Sequence, residues 1–98
     1  MPSFPKTVPL RLEGEAMGLL RLERLQIDKG RCYYCHSLVS DALEENHPLH
    51  YDLMHIRHHS VGGSDVVSNV RVGCHECHMK SHNGSLPSLL SLQKQGRL

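Results

Sequence analysis

Cys32-Tyr-Tyr-Cys35 and Cys74-His-Glu-Cys77 are two C-x-x-C pairs, and together they use all four cysteines of the chain. In such a pair both thiolates converge on one ion, so two pairs predict a single tetrahedral zinc site that ties distant segments together. The chain needs such a staple. It has 98 residues, one Phe, three Tyr and no Trp, and a chain of that length with so few aromatics buries only a small core. The rival reading of a C-x-x-C is a thioredoxin-like redox pair, which opens a helix inside a βαβ unit; no such unit is legible here. The N-terminal MPSFPKTVPLRLEG lacks the apolar run of a secretory signal. No segment approaches the ~20 apolar residues of a membrane-spanning helix. The expectation is therefore one zinc-stapled domain in a reducing cytoplasm, with no membrane partner.

The rest of the chain arranges itself around these pairs. Residues 1–12, with Pro2, Pro5 and Pro9, read as an irregular arm. Glu15 to Asp28 predicts a helix with Leu19, Leu22, Leu25 and Ile27 as a broad apolar stripe, closed by Gly30. Ser37 to Glu45 predicts a short helix or loop with Leu38, Val39, Ala42 and Leu43 turned inward. His50 to Arg57 alternates like a strand. Gly62-Gly63 marks a turn, and Val70 and Val72 mark a short return strand. Cys74 to His82 predicts a helix ended by Asn83-Gly84, and Ser88 to Gln95 a last short one. Nothing splits the chain: residues 1–98 read as a single domain with a core over 19–83 and a short helix and tail over 84–98.

The formal charge is only +1, so any phosphate-binding surface must be local, whereas nine histidines far exceed what a domain of this length needs. Histidine is the commonest metal ligand and the usual acid–base group near neutral pH. On a helix His78 and His82 stand one turn apart on one face, a spacing that lets two imidazoles grip one divalent ion. Cys77 points about 100° away from His78, so one helix can serve zinc on one side and a second metal on the other. His75, between the cysteines, reads as solvent-facing, and His47 and His50 as ordinary surface histidines. His55 sits where a strand becomes a loop; as a neutral imidazole it can take a proton from an attacking water.

Taken in order, His55, Gly62-Gly63, Asn69, Cys74-x-x-Cys77-His78 and His82 resemble the HNH endonuclease (His-Me finger) family, of the type stapled by four cysteines. The run LLRLERLQIDKGRCYYCH also resembles the segment leading to the first cysteine pair in such proteins. The resemblance implies an α+β fold: a small ββα-metal domain with a structural four-cysteine zinc site and flanking helices. It implies that His55 is the general base and that Asn69 orients it through the backbone or binds metal. It implies that His78 and His82 hold a catalytic divalent ion, drawn from Mn²⁺, Co²⁺, Ni²⁺, Mg²⁺ or Zn²⁺, which stabilises charge on a phosphate and its leaving 3′ oxygen. The chain departs from the pattern at Met54, where the family commonly carries an Asp or His ligand. A thioether suits hard ions poorly, and Asp52, two residues back on the same strand face, or a water is the candidate replacement.

The partner implied is DNA. Arg57, His58, His59 and Lys80, with Lys94 and Arg97, are the candidate phosphate contacts, giving affinity that depends on salt rather than sequence. The function expected is a metal-dependent DNA endonuclease that hydrolyses phosphodiester bonds, by nicking or double-strand cleavage, through a single metal and a histidine base. The alternative is a non-catalytic zinc-stapled module that binds nucleic acid or protein, for which Met54 is the best support. So small a domain is expected to show weak sequence preference or to be recruited by a protein partner; a homodimer could cut both strands, but no stretch announces a dimer interface.

Overall fold

From Tyr51 the chain runs out along strand β1 (Tyr51–His55) and returns antiparallel along β2 (Val70–Cys74), pairing Tyr51 with Cys74 and His55 with Val70. The computed structural model that shows this describes residues 10–98; of the arm expected over 1–12, residues 1–9 lie outside the described residues. Among the described residues three α-helices surround the two-stranded sheet: α1 (Gly14–Ile27), α2 (His75–His82) and α3 (Leu89–Lys94). The fold is a small α+β one with a four-cysteine cluster. None of these helices is long and apolar enough to cross a membrane.

β2 leads straight into α2, and Cys74 is the hinge. Its backbone is still extended (φ −88°, ψ 153°), and its Sγ caps the helix by accepting the backbone N–H of Cys77. The core lies where β1 meets α3. Met54 and Ile56 pack there with Leu89 and Leu92, and Ser88 caps α3 by accepting the N–H of Ser91 at 3.1 Å. Tyr34 donates to the Pro87 carbonyl and Tyr33 to that of Arg97, which pins the C-terminal segment to the first cysteine pair.

Helix α1 is where the apolar stripe expected from sequence fails. Leu19, Leu22 and Ile27 are 63, 51 and 52 % exposed, and Leu20 is the one buried leucine of the helix. Polar groups hold α1 instead. The Arg21 guanidinium lies 4.2 Å above the Tyr51 ring and donates to the Tyr51 carbonyl, while Tyr51 Oη donates back to the Arg21 carbonyl. Arg24 grips Asp28 with two nitrogens and reaches the Val67 carbonyl, and Asp28 in turn accepts the Val72 N–H of β2 at 2.9 Å. The sheet edge that α1 covers is thus satisfied by a carboxylate rather than by leucines. Between Ser37 and Glu45 no helix forms. That segment is turns and single bridges, with Leu38 and Ala42 exposed.

The loop joining the strands is held by Asn69. Its Nδ2 donates to the carbonyls of Arg57 and Ser64, and its Oδ1 accepts the Arg57 N–H. Gly62 turns the chain with φ +88°, and Gly63 is needed for a different reason: a Cβ there would fall 1.7 Å from the Arg57 carbonyl oxygen.

Candidate metal centre and histidine cleft

Cys32, Cys35, Cys74 and Cys77 bring their four sulfurs within 4.8 Å of one another. The Sγ atoms of Cys35 and Cys74 are 3.8 Å apart, which is the edge of a tetrahedron whose arms are about 2.3 Å long. Cys32, Cys74 and Cys77 are buried and Cys35 is exposed. Burial pushes the Cys74 thiol up to about 11 and the Cys77 thiol higher still. At Cys35 burial is outweighed by hydrogen bonds led by those of Ser37, and the thiol falls to about 7. Thiols this close resist ionising together unless a cation sits among them. Donor type, spacing and electrostatics all fit a structural metal such as zinc.

Seven of the nine histidines lie apart from this cluster and interact with one another or with two aspartates. Asp52 collects three of them. Its Oδ1 accepts from His50 Nδ1 at 2.9 Å; its Oδ2 accepts from His75 Nδ1 at 2.9 Å and His78 Nδ1 at 2.8 Å. Burial alone would raise this carboxyl, but hydrogen bonds from His50, His78 and His75 outweigh it and hold it below its ordinary value. An ionised carboxylate only accepts, so each ring donates from Nδ1 and keeps its lone pair on Nε2. On His78 that lone pair faces His82, the two Nε2 atoms being 3.0 Å apart. Two nitrogens about 2.1 Å from a shared ion, at roughly a right angle, stand at this separation.

The structure therefore places Asp52 behind the His78–His82 pair, with both oxygens already engaged, and not beside it as the ligand expected to replace Met54. Such a carboxylate–histidine contact fixes a metal ligand's tautomer and orientation. His75, expected to face solvent, is bound to the same carboxylate, as is His50.

Asp65 is the second collector, and it is 2 % exposed. Its Oδ1 accepts from both His55 Nε2 and His59 Nε2 at 2.7 Å, and its Oδ2 from the Leu12 N–H at 2.8 Å. Burial raises this carboxyl, and hydrogen bonds from Leu12, His55 and His59 more than reverse the effect. By the same acceptor-only argument both rings donate from Nε2 and keep the lone pair on Nδ1. His55 thus carries an orienting carboxylate on one nitrogen and a basic site on the other. Nothing in the local sequence announces Asp65 beyond its place just after the glycine turn; its role depends on contacts 10 and 53 residues away.

A cleft of about 180 Å³ is lined by His55, His58, His78 and His82, with Met54, Ile56 and Leu89 also on its walls. Met54 is 2 % exposed, and its side chain lies over Gly73, whose added Cβ would fall 2.5 Å from the Met54 sulfur. His58 is held below the usual histidine range by partial burial and then by the rings of His82, His55, His78 and His59. Asn69 makes its side-chain hydrogen bonds to loop backbone. Its carbonyl accepts the Ile56 N–H at 2.8 Å, immediately beside His55.

Of the residues expected to touch DNA, Arg57 is exposed on the loop after β1, His58 lines the cleft and His59 is bound to Asp65. Lys80 is exposed and pairs with Glu76 at 3.4 Å along α2. Compared with known proteins, the chain matches no family model and no curated protein.

Proposed function

We propose that the chain is a metal-dependent endonuclease of the HNH type, with a ββα-metal core, that hydrolyses phosphodiester bonds in DNA. The observation that carries this reading is one cleft in which two histidines are each bound to an aspartate through one ring nitrogen, His78 through Nδ1 and His55 through Nε2. Asp52 leaves His78 with a lone pair on Nε2 facing His82, and Asp65 leaves His55 with one on Nδ1. The first arrangement is a two-imidazole cradle; the second is an oriented base.

In this reading His78 and His82 would hold a divalent ion, which would supply positive charge to stabilise the charge that develops on a phosphate and its leaving group. His55 Nδ1 takes the proton of the attacking water, and Asp65 steadies the imidazolium that results. Asn69 keeps the strand-to-loop junction at Ile56 and Arg57 in place, and so positions His55 without touching substrate. Arg57 and His58 stand where a phosphate backbone would cross the rim. With an imidazole pair and no carboxylate in the cradle, Mn²⁺, Co²⁺ or Ni²⁺ should support more activity than Mg²⁺.

The test is nicking of supercoiled plasmid by zinc-loaded protein across these metals. His55→Ala should lower the rate by roughly two to four orders of magnitude with zinc content unchanged. A zinc-loaded protein that binds no second ion and cuts with no divalent metal would leave the non-catalytic zinc module as the reading.

A further inference from the structure

We infer that His55, His59 and Asp65 form a second divalent-cation site, separate from the His78–His82 cradle, and that filling it with Zn²⁺ switches His55 off. The existence of the site stands on its own geometry; the switching rests on the endonuclease reading above.

Two imidazole nitrogens and one carboxylate oxygen meet here. The two nitrogens lie 2.7 Å from the same Oδ1, and the three atoms all fall within 4.8 Å of one another. The carboxylate cannot turn away. Its Oδ2 is held by the Leu12 N–H, and the Asp65 N–H donates to the Leu10 carbonyl at 2.7 Å. The His59 side chain is 30 % exposed and that of His55 is 19 % exposed, so an ion and its remaining water ligands have an approach. Three protein ligands of this kind with an open position suit zinc and other borderline transition metals, whereas Mg²⁺ prefers oxygen donors.

Binding changes where the protons sit. At present Asp65 draws a proton onto Nε2 of each ring. An ion ligated by those nitrogens needs their lone pairs, and a neutral imidazole carries only one N–H. The proton of each ring therefore moves through solvent from Nε2 to Nδ1; no proton is gained or lost by either ring. On His55 this puts a hydrogen on the very atom that must accept one from water. The same carboxylate that makes His55 a base with a proton as its partner makes it inert with a metal as its partner. Excess zinc then becomes an inhibitor, even though one zinc ion is needed for folding.

The experiment starts from protein carrying one zinc ion in its cysteine cluster and adds Zn²⁺ or Co²⁺. Native mass spectrometry counts the ions bound, and imidazole ¹⁵N spectra report the tautomers. Wild type should take up two further ions, and His59→Ala and His78→Ala one each. As the site fills, His55 should pass from the Nε2–H to the Nδ1–H form in wild type but not in His59→Ala. Because Zn²⁺ also fills the cradle in both proteins, the comparison is between them: with added Zn²⁺, nicking first supported by Mn²⁺ should fall roughly a hundredfold or more further in wild type than in His59→Ala, each relative to its own starting rate. Should His59→Ala not fold, His59→Gln still offers Asp65 a donor but no imidazole. Equal ion counts in wild type and the His59 variant, or an unchanged His55 tautomer, overturn the site. If no metal supports nicking in any of the proteins, the endonuclease reading falls with the switch, and the ion counts and tautomers still decide whether the site exists.

Discussion

Replacing Met54 by Asp distinguishes the implied ligand position from the packing the structure shows. If position 54 were simply a vacant place in the metal shell, a carboxylate there would complete it. The structure shows the side chain packed instead: it is 2 % exposed, lies against Ile56, Leu89 and Leu92, and covers Gly73. Truncating a buried methionine costs about 2–5 kcal/mol. Desolvating an unpaired carboxylate adds several kcal/mol more, or forces it to stay protonated. A total loss of about 5 kcal/mol or more follows, comparable with the whole stability of a small domain, about 5–15 kcal/mol. Met54→Leu, which nearly conserves volume, should cost less than about 1.5 kcal/mol. Urea denaturation of the zinc-loaded proteins, followed by far-UV circular dichroism, should show Met54→Leu near wild type. Met54→Asp should lose more than about 2 M in midpoint or fail to fold. The reasoning is refuted if Met54→Asp keeps the wild-type midpoint and binds a second divalent ion more tightly, since its carboxylate would then reach the cradle.

Cys74→Ser should lose zinc and unfold, because it removes a thiolate ligand even though a serine hydroxyl can still cap α2; metal analysis and the melting profile check this together. Asp52→Ala should weaken ion binding at the His78–His82 cradle by about 10–100-fold, measured calorimetrically, by releasing the Nδ1 of His78. Asp65 has a folded pKa below its unfolded value, so its contribution is present above about pH 4 and fades as pH falls through the folded value. The difference in urea midpoint between wild type and Asp65→Asn should accordingly be largest near neutrality and close in acid. Gly63→Ala should destabilise by more than about 2 kcal/mol in the same assay, because backbone, not a movable side chain, occupies the space its methyl needs.

What can be read from the sequence is whatever local spacing encodes. The C-x-x-C pairs, the strand around Leu53, the return strand at Val70 and Val72 and the helix bearing His78 and His82 each follow from residues a few positions apart, and each forms. The return strand and its helix differ from expectation only at Cys74, which ends one and caps the other. What cannot be read is pairing across the chain. The leucines of α1 have helical spacing, yet Arg21, Arg24 and the helix's own C-terminal Asp28 do the docking, because Tyr51, Val67 and Val72 outside the helix supply their partners. Asp52 is visible as a carboxylate near a metal candidate, but whether it faces the ion or the back of His78 depends on how α2 crosses β1. Asp65 escapes a reading of the sequence because the turn that delivers it to His55 is fixed by Asn69 and by Leu10 and Leu12. Neither leucine carries a metal-ligand or catalytic spacing signal, and Asn69 acts here through loop backbone.

The attachment of Leu10 and Leu12 to the Ser64–Asp65 turn bears on how this domain can be handled. Asp65 is shared between the segment ahead of α1 and the rings of His55 and His59, so a pull on that segment is transmitted to His55 through a single side chain. Cutting the chain back past Leu12 would strip one hydrogen-bond donor from the carboxylate and loosen the imidazole it aims, with the cysteine cluster and both strands untouched. Fusions belong at the other end of the chain, after Arg97, whose carbonyl meets Tyr33 and not the histidines.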